Sequence, residues 1–379
     1  MFDYQKTGRY FALVADDIKD IAEDELRSLG ASDTRQAYRG ISFTADTGTL
    51  YSINFQSRLV NRVLAPLISF KCHSDRYLYN RSSQVPWDQI LDPSLTFAIF
   101  ASVSNSSIRH SRFASLRLKD AIVDYFKARK GRRPSIDRKD PDLWLSLHIE
   151  NNWATISLDT SGGSLHRRGY RAKSVEAPMI ETLAAAIIRH SGWDGNVPLH
   201  DPFCGSGTLL CEAYLFASNT PPGILRKKFG FERLPDFDSS LWGSIKKKAL
   251  KKIRTISKGI IKGSDISLGS VKASAHNCSL IDKENTIEID KKDIFKFENI
   301  NAKTIICNPP YGVRMGKSGD LGEFYKRLGD FLKRRCIGST AYIYFGERKH
   351  IKDIGLKPSW KKPLSNGGLD GRLVKYELY

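Results

Sequence analysis

Leu199-His200-Asp201-Pro202-Phe203-Cys204-Gly205-Ser206-Gly207-Thr208 reads as a strand end, a tight glycine loop and the start of a helix. Leu209, Leu210, Ala213 and Leu215 follow and favour helix. Gly205 and Gly207 let the backbone approach a ligand closely, and a helix N-terminus offers N–H groups to an anion. Nucleotide, flavin and S-adenosylmethionine (SAM) binders all use such loops. Asn308-Pro309-Pro310-Tyr311-Gly312, about a hundred residues later and also behind an apolar strand, narrows the choice. Together the two stretches point to methyl transfer from SAM to an amino group.

From Pro198 onward strand and helix patterns alternate, which argues for an α/β domain with a mostly parallel, Rossmann-like sheet. The expected strands are 197–203, 260–266, 286–289, 304–307, 341–345 and 373–378, and the expected helices 208–217, 268–280 and 321–335. Ligands of such sheets lie outside the carboxyl ends of the strands. Asp201, Asp265, Asp293 and Asn308 fall at or just past four such ends. Asp265 can accept hydrogen bonds from both ribose hydroxyls. Asp293 and Ile294 offer a carboxylate to an adenine amino group and an apolar wall to its ring. An insert of about forty residues, 219–258, separates the first helix from the second strand.

The Asn-Pro-Pro-Tyr tetrad suits a conjugated amine, whose lone pair is delocalised and weakly nucleophilic. The Asn308 amide oxygen and the Pro309 carbonyl can accept its two hydrogens and favour the pyramidal, reactive form. Pro309 and Pro310 fix the backbone, so those acceptors need little reorganisation. Tyr311 can stack on a planar substrate. No general base of unusual pKa is needed. Cys204 and Cys307 beside the motifs lack a His partner and read as small apolar fillers.

The chain has 379 residues, 41% of them hydrophobic and 27% charged, enough for two or three globular domains. No apolar run suits a membrane span, the N-terminus lacks a signal-peptide layout, and six scattered cysteines lack CxxC spacing. These features lead us to expect a cytoplasmic protein without a metal site. The net charge of +19 predicts a polyanionic partner, most simply nucleic acid. Eight Lys or Arg and no acid lie between Gly243 and Gly263, among them Lys246, Lys247, Lys248, Lys251 and Lys252. Arg132 and Arg133 mark a second basic stretch.

Two α+β units precede the sheet domain. In 1–70 the pattern predicts a strand over 10–15, a helix over 18–29, a strand over 40–45 and a helix over 50–65. In 71–165 Leu95, Phe97 and Ile99 alternate, and strands are expected at 143–149 and 154–158. Between them Ala114, Leu118, Ala121, Ile122 and Tyr125 share a helix face, leaving Arg117 and Lys119 for solvent or a phosphate backbone. A Gly- and Arg-rich joint, 161–170, leads to a helix near Ala177-Pro178. Arg167, Arg168 and Arg171 there can bind phosphate, cap the SAM pocket, or simply lie at the surface.

His200 to Thr208, Asn219-Thr220-Pro221-Pro222-Gly223 and Phe229-Gly230-Phe231-Glu232-Arg233 resemble the bacterial THUMP-containing 23S rRNA guanine-N2-methyltransferases. Lys119 to Asp124, Arg133-Pro134-Ser135-Ile136-Asp137 and Ser164 to Arg171 resemble the same family. The likeness covers almost the whole chain. It implies an N-terminal ferredoxin-like domain (1–70), a THUMP RNA-binding domain (71–165) and a class I SAM-dependent methyltransferase domain (166–379). It also implies methylation of the exocyclic N2 of a guanine in RNA. Carried over by position, Asp201, Gly205 and Gly207 would hold the methionine end of SAM, with Phe203, Ser206 and Thr208 beside them. Asp265 and Ile266 would hold the ribose, Asp293 and Ile294 the adenine, and Asn308, Pro309, Pro310 and Tyr311 the target base. With one methyltransferase domain, the chain is expected among the shorter members, without the guanine-N7-type domain fused in some relatives. Cys307 stands where Ser or Thr is commoner.

The tetrad does not choose its amine, since adenine-N6, cytosine-N4 and glutamine-N5 methylases use similar residues. The basic THUMP-like segment favours RNA over protein, DNA or a membrane. Within RNA, 23S rRNA is expected first and tRNA second. A non-catalytic RNA-binding assembly factor and a nicotinamide oxidoreductase are the remaining alternatives; the latter leaves the tetrad unexplained.

Overall fold

The computed structural model describes residues 1–173, 179–300, 302–310 and 321–379, which form two compact units. The first comprises Met1–Leu165 with Arg226–Lys247. It runs α1 (Asp3–Thr7), β1 (Arg9–Leu13), α2 (Lys19–Ser28), β2 (Ser32–Ala37), β3 (Gly40–Thr44), α3 (Thr47–Gln56) and β4 (Arg62–Lys71). It continues through α4 (Asp75–Ser83), β5 (Thr96–Ser104), α5 (Ser111–Lys130), β6 (Ser135–Ile136), β7 (Leu143–Glu150) and β8 (Trp153–Asp159). The strands make one sheet in the order β2-β3-β1-β4-β8-β7-β5-β6. β4 and β8 join its halves antiparallel, from Leu64 opposite Asp159 to Lys71 opposite Trp153. On α5 the anticipated stripe is buried and Gly131 (φ 65°) caps its C-terminus.

The helix expected over 50–65 is two elements: α3 ends at Gln56 and β4 begins at Arg62. The buried Glu25 carboxylate on α2 accepts from the Ser57 hydroxyl (2.6 Å) and from the Arg58 and Leu59 N–H groups (3.0 and 3.1 Å), turning the chain out of the helix. β2 was silent in the sequence because it is an edge strand whose residues are nearly all exposed.

The remaining elements are α6 (Glu181–Ser191), β9 (Leu199–Asp201), α7 (Thr208–Ala217), α8 (Ser239–Leu250), β10 (Ile261–Asp265), α9 (Leu268–Ser279), β11 (Glu288–Lys291), β12 (Thr304–Cys307), α10 (Leu321–Arg335), β13 (Thr340–Phe345), β14 (Trp360–Pro363) and β15 (Arg372–Glu377). The second unit is His166–Leu225 with Lys248–Tyr379. Its sheet has the order β11-β10-β9-β12-β13-β15-β14, with β15 antiparallel to β13 and to β14 and the other neighbours parallel. The third strand lies two residues later than expected, because the Asp282 carboxylate accepts from Ile287 N–H at 2.9 Å and keeps that stretch in the turn. β14 was not anticipated. The start expected for the helix near Ala177-Pro178 lies outside the described residues. Tyr325, Leu328, Phe331 and Leu332 of α10 are buried with Ile305, Cys307, Ile343 and Phe345 in one apolar cluster, each worth about 1.5–3 kcal/mol when fully buried.

Candidate active site

β9 has β10 on one side and β12 on the other, so chain connections depart in opposite directions from it. This topological switch leaves a crevice at the carboxyl ends of the strands. A cleft of ≈ 510 Å³ lies there, lined by Phe203 and Gly205 after β9, Asp265 and Ile266 at β10, Asp293 and Ile294 after β11, and Asn308 and Pro310 after β12. Its volume is that of an ordinary cofactor site.

Asp265 ties two strand ends together. Its Oδ2 accepts from Gly205 N–H at 3.0 Å and its Oδ1 from Ser267 N–H at 2.8 Å. Each carboxylate oxygen can accept more than once, so both keep capacity for ribose hydroxyls. Ile266, 67% exposed, and the half-buried Phe295 give the cleft apolar walls. Asp293 accepts from Phe295 N–H at 3.1 Å through Oδ1, leaving Oδ2 for an amino group. This donor and acceptor set fits a nucleoside with an aromatic base.

Four of the anticipated cofactor contacts do not line the cleft: Asp201, Ser206, Gly207 and Thr208. The Asp201 carboxyl is buried, accepts from Phe203 N–H at 3.0 Å, and is pushed up to about 8 by burial and by Asp265. Ser206 gives its carbonyl to the Asn277 amide (2.9 Å), and the Thr208 hydroxyl accepts from Arg171 (3.1 Å). The Gly207 N–H donates to the Cys204 carbonyl at 2.7 Å, so it is not offered to an anion. Gly207 serves packing instead: at φ 83°, a Cβ there would stand 2.5 Å from Ser274 Oγ of α9. The glycine loop thus packs the start of α7 closely on α9 at Gly207 and lines the cleft at Gly205.

Two of the joint arginines, Arg168 and Arg171, are also committed inside the second unit. Arg168 is buried against Glu212 of α7 (3.4 Å), which also accepts from the Tyr170 hydroxyl at 2.8 Å. Arg171 pairs with Glu181 at 3.2 Å and donates to the Met179 carbonyl. Arg167 is exposed.

Asn308 follows β12 and faces the cleft, and its Oδ1 is buried without a hydrogen-bond partner among the described residues. Pro309 is buried, and the Pro310 carbonyl accepts from the Tyr325 hydroxyl at 3.4 Å. Tyr311 lies outside the described residues. Phe295, next to the anticipated Asp293 and Ile294, lines the cleft too, and sequence reasoning missed Phe324, Arg327 and Lys292, which also line it. Phe324 packs edge-on against Phe203 and Phe295 (5.8 and 6.0 Å between centroids), and Arg327 lies 4.4 Å over the Phe295 ring. Lys292 follows β11 while Phe324 and Arg327 lie on α10, about thirty residues on, so no local pattern tied them to the cleft. Burial pushes the Cys204 and Cys307 thiols well above the usual range, in keeping with an apolar filling role.

On the first unit, Arg117 lies between Asp75 (3.5 Å) and Asp120 (3.9 Å), and Lys119 pairs with Asp120 at 2.8 Å, so neither cation is held for an external phosphate alone. Arg132 and Arg133 are exposed. Lys246, Lys247, Lys248, Lys251 and Lys252 are exposed and form no ion pair among the described residues.

Strand order, the switch-point cleft and aspartates at successive strand ends define a class I SAM-dependent methyltransferase, with SAM as cofactor. Residues 168–375 match the RMKL-like methyltransferase domain, 74–159 the THUMP domain and 9–64 the RlmL ferredoxin-like domain. The chain belongs to this THUMP-containing methyltransferase family. It is 40% identical, over 98% of its length and 97% of the relative's, to a Synechocystis sp. protein classed by name among RNA methyltransferases. It is 35% identical to the Ribosomal RNA large subunit methyltransferase K/L of Syntrophotalea carbinolica, matching 98% of this chain and 53% of that one. The chain thus spans about half the length of its K/L relatives. A solved structure described as a methyltransferase complexed with SAH, SMU.472, superposes with a TM-score of 0.84 at 26% identity, covering 98% of each chain. Among the described residues no helix is long and apolar enough to cross a membrane.

Proposed function

We propose that this chain methylates the exocyclic N2 of a guanine in 23S rRNA. The observation that carries the reading is the Oδ1 of Asn308, a cleft-lining residue, buried and without a hydrogen-bond partner among the described residues. A buried acceptor without a donor costs about 1–3 kcal/mol, which an amine substrate would offset. SAM supplies a methyl group on a sulfonium centre. Asp265 holds its ribose hydroxyls and Asp293 its adenine amino group, while Asp201, buried beneath the loop, positions that wall. Asn308 Oδ1 and the Pro309 carbonyl accept the two amine hydrogens, directing the nitrogen lone pair at the methyl carbon. Both acceptors gain strength as positive charge grows on nitrogen, so they favour the transition state over the ground state. The proton leaves afterwards to solvent. Tyr311 stacks on the base in this reading.

RNA as the substrate draws on the THUMP match, the named activity of the K/L relatives and the net charge of +19. Arg132, Arg133 and the lysines of 246–252 are the proposed phosphate contacts, with Arg117 and Lys119 available on exchange of their acidic partners. We read the modules as 1–70, 71–165 and 166–379, working in the cytoplasm. The test is radiolabelled methyl transfer from SAM to total RNA of a strain deleted for this gene, with 23S rRNA and tRNA separated and digested to nucleosides. Label in N2-methylguanosine from 23S rRNA is expected. Label in tRNA alone would move the partner, and no label in RNA despite SAM binding would overturn the reading.

A further inference from the structure

A second groove, of ≈ 580 Å³, lies along β15 and β14 of the second unit. Its walls carry Arg348, Lys349, Lys352, Lys361 and Arg372 and, among the described residues, no acidic residue. Its floor is apolar, with Leu356 and Pro358 in it. The strand register fixes where it opens. Cys307 stands opposite Ile343, Phe345 opposite Arg372, and Arg372 opposite Pro363. The groove therefore lies at the same end of the sheet as Asn308, about 10–15 Å to the side at the usual strand spacing. The 348–351 segment is also linked to the tetrad. The His350 ring stacks on Tyr325 at 5.1 Å, and the Tyr325 hydroxyl donates to the Pro310 carbonyl.

Not all of this charge is neutralised within the chain. Arg348 and Arg372 share Asp370, and Lys349 pairs with Glu347. Lys352 and Lys361 are exposed and form no ion pair among the described residues. Cations around an apolar floor suit a polyanion that also carries flat apolar groups, with phosphates on the rim and sugars or bases on the floor. A base drawn into the cleft leaves its neighbours in the strand to be held alongside, where this groove lies.

We propose that the groove carries the single-stranded RNA flanking the target nucleotide, with Lys352 and Lys361 contacting phosphates. The inference rests on the RNA substrate proposed above. Lys361, Lys362 and Pro363 also suit an edge strand protected from pairing with another chain. That role alone predicts self-association, and no change in RNA binding, when Lys361 is removed.

The experiment is fluorescence anisotropy of the full chain with a labelled oligouridylate of about 20 nucleotides over a salt series, for Lys352→Ala, Lys361→Ala and the double variant. Each substitution is expected to reduce the slope of log K against log salt by about 0.7, and the pair by about 1.4. Binding at low salt should weaken several-fold, with SAM affinity as the folding control. An unchanged slope in the double variant overturns the proposal, whether or not gel filtration shows larger species. So does an unchanged slope with lost binding of a polyglutamate probe, which would assign the groove to an acidic protein segment. Reduced slopes without methyl label in any RNA would sink the methylation reading and leave the groove standing. Label in N2-methylguanosine with unchanged slopes would remove the groove alone.

Discussion

Because the Asn308 amide oxygen is buried without a donor among the described residues, which costs about 1–3 kcal/mol until a substrate supplies one, its effects should be separable from those of the cofactor site. Asn308→Ala is expected to leave SAM affinity within about twofold and to lower kcat by two to three orders of magnitude, the usual loss of a transition-state acceptor of about 3–4 kcal/mol. Calorimetric titration with SAM and single-turnover transfer to RNA measure the two quantities. Equal losses in both would assign Asn308 to the cofactor instead. Asp201 makes a different prediction. Its carboxyl, pushed up to about 8 by burial and by Asp265, keeps its proton in the folded chain where the unfolded chain, with a pKa of about 3.9, has lost it. The folded state therefore binds more protons between those values, and stability falls as pH rises through that window. Asp201→Asn keeps an acceptor for Phe203 N–H but cannot ionise. Its unfolding free energy from urea titration should fall less than the wild type's between about pH 4 and about pH 8, by an amount on the order of a few kcal/mol. Parallel pH profiles would mean that Asp201 is charged in the fold.

The helices behind the glycine loop set how much of the site could be read from the sequence. Gly207→Ala would place a Cβ at φ 83° and 2.5 Å from Ser274 Oγ, so α7 and α9 must part or the loop must shift. We expect a loss of about 1–3 kcal/mol in urea unfolding, partly recovered by adding Ser274→Ala, which removes the nearest atom. Lost SAM affinity at full stability would restore a ligand-cradling role to this glycine. The loop, the strand-end aspartates and Asn308 were legible because each is a short-range pattern tied to a strand end. What the loop does with its N–H groups was not. Gly205 spends its N–H on Asp265, sixty residues away, and Asn277 of α9 reaches back to the Ser206 carbonyl. The Phe203–Phe324–Phe295 wall was hidden for the same reason: three elements meet there, and none shows a periodicity that names its neighbours. Likewise Arg168, open to several readings in sequence, is fixed by the buried Glu212 of α7, about forty residues away.

The connectivity of the whole chain was the least legible feature. Phe229-Gly230-Phe231 lies in an insert of the methyltransferase sequence, yet Arg226–Lys247 belongs to the first unit. Phe231 is buried and stacks on Tyr51 of α3 at 4.4 Å, and Trp242 packs edge-on to Phe55 at 5.3 Å. A Cβ on Gly230 would stand 1.9 Å from the Asp159 carbonyl, so only glycine permits this approach to the end of β8. The Arg226 guanidinium donates to the Ser161 and Ser164 carbonyls at 2.7 and 3.1 Å, clasping the turn after β8. Phe231→Ala should therefore destabilise the first unit by about 3–5 kcal/mol, although its sequence position is in the second. A fragment of residues 166–379 would lack Tyr51 and Phe55, which pack on Phe229, Phe231 and Trp242, leaving a contiguous aromatic patch in water. That fragment should bind an apolar dye such as ANS and aggregate at micromolar concentration. The same fragment with Phe229, Phe231 and Trp242 changed to Ser should stay monomeric in sedimentation experiments. A monomeric, dye-silent wild-type fragment would mean that the aromatic segment finds other cover, and that its docking on α3 contributes little to holding the chain soluble.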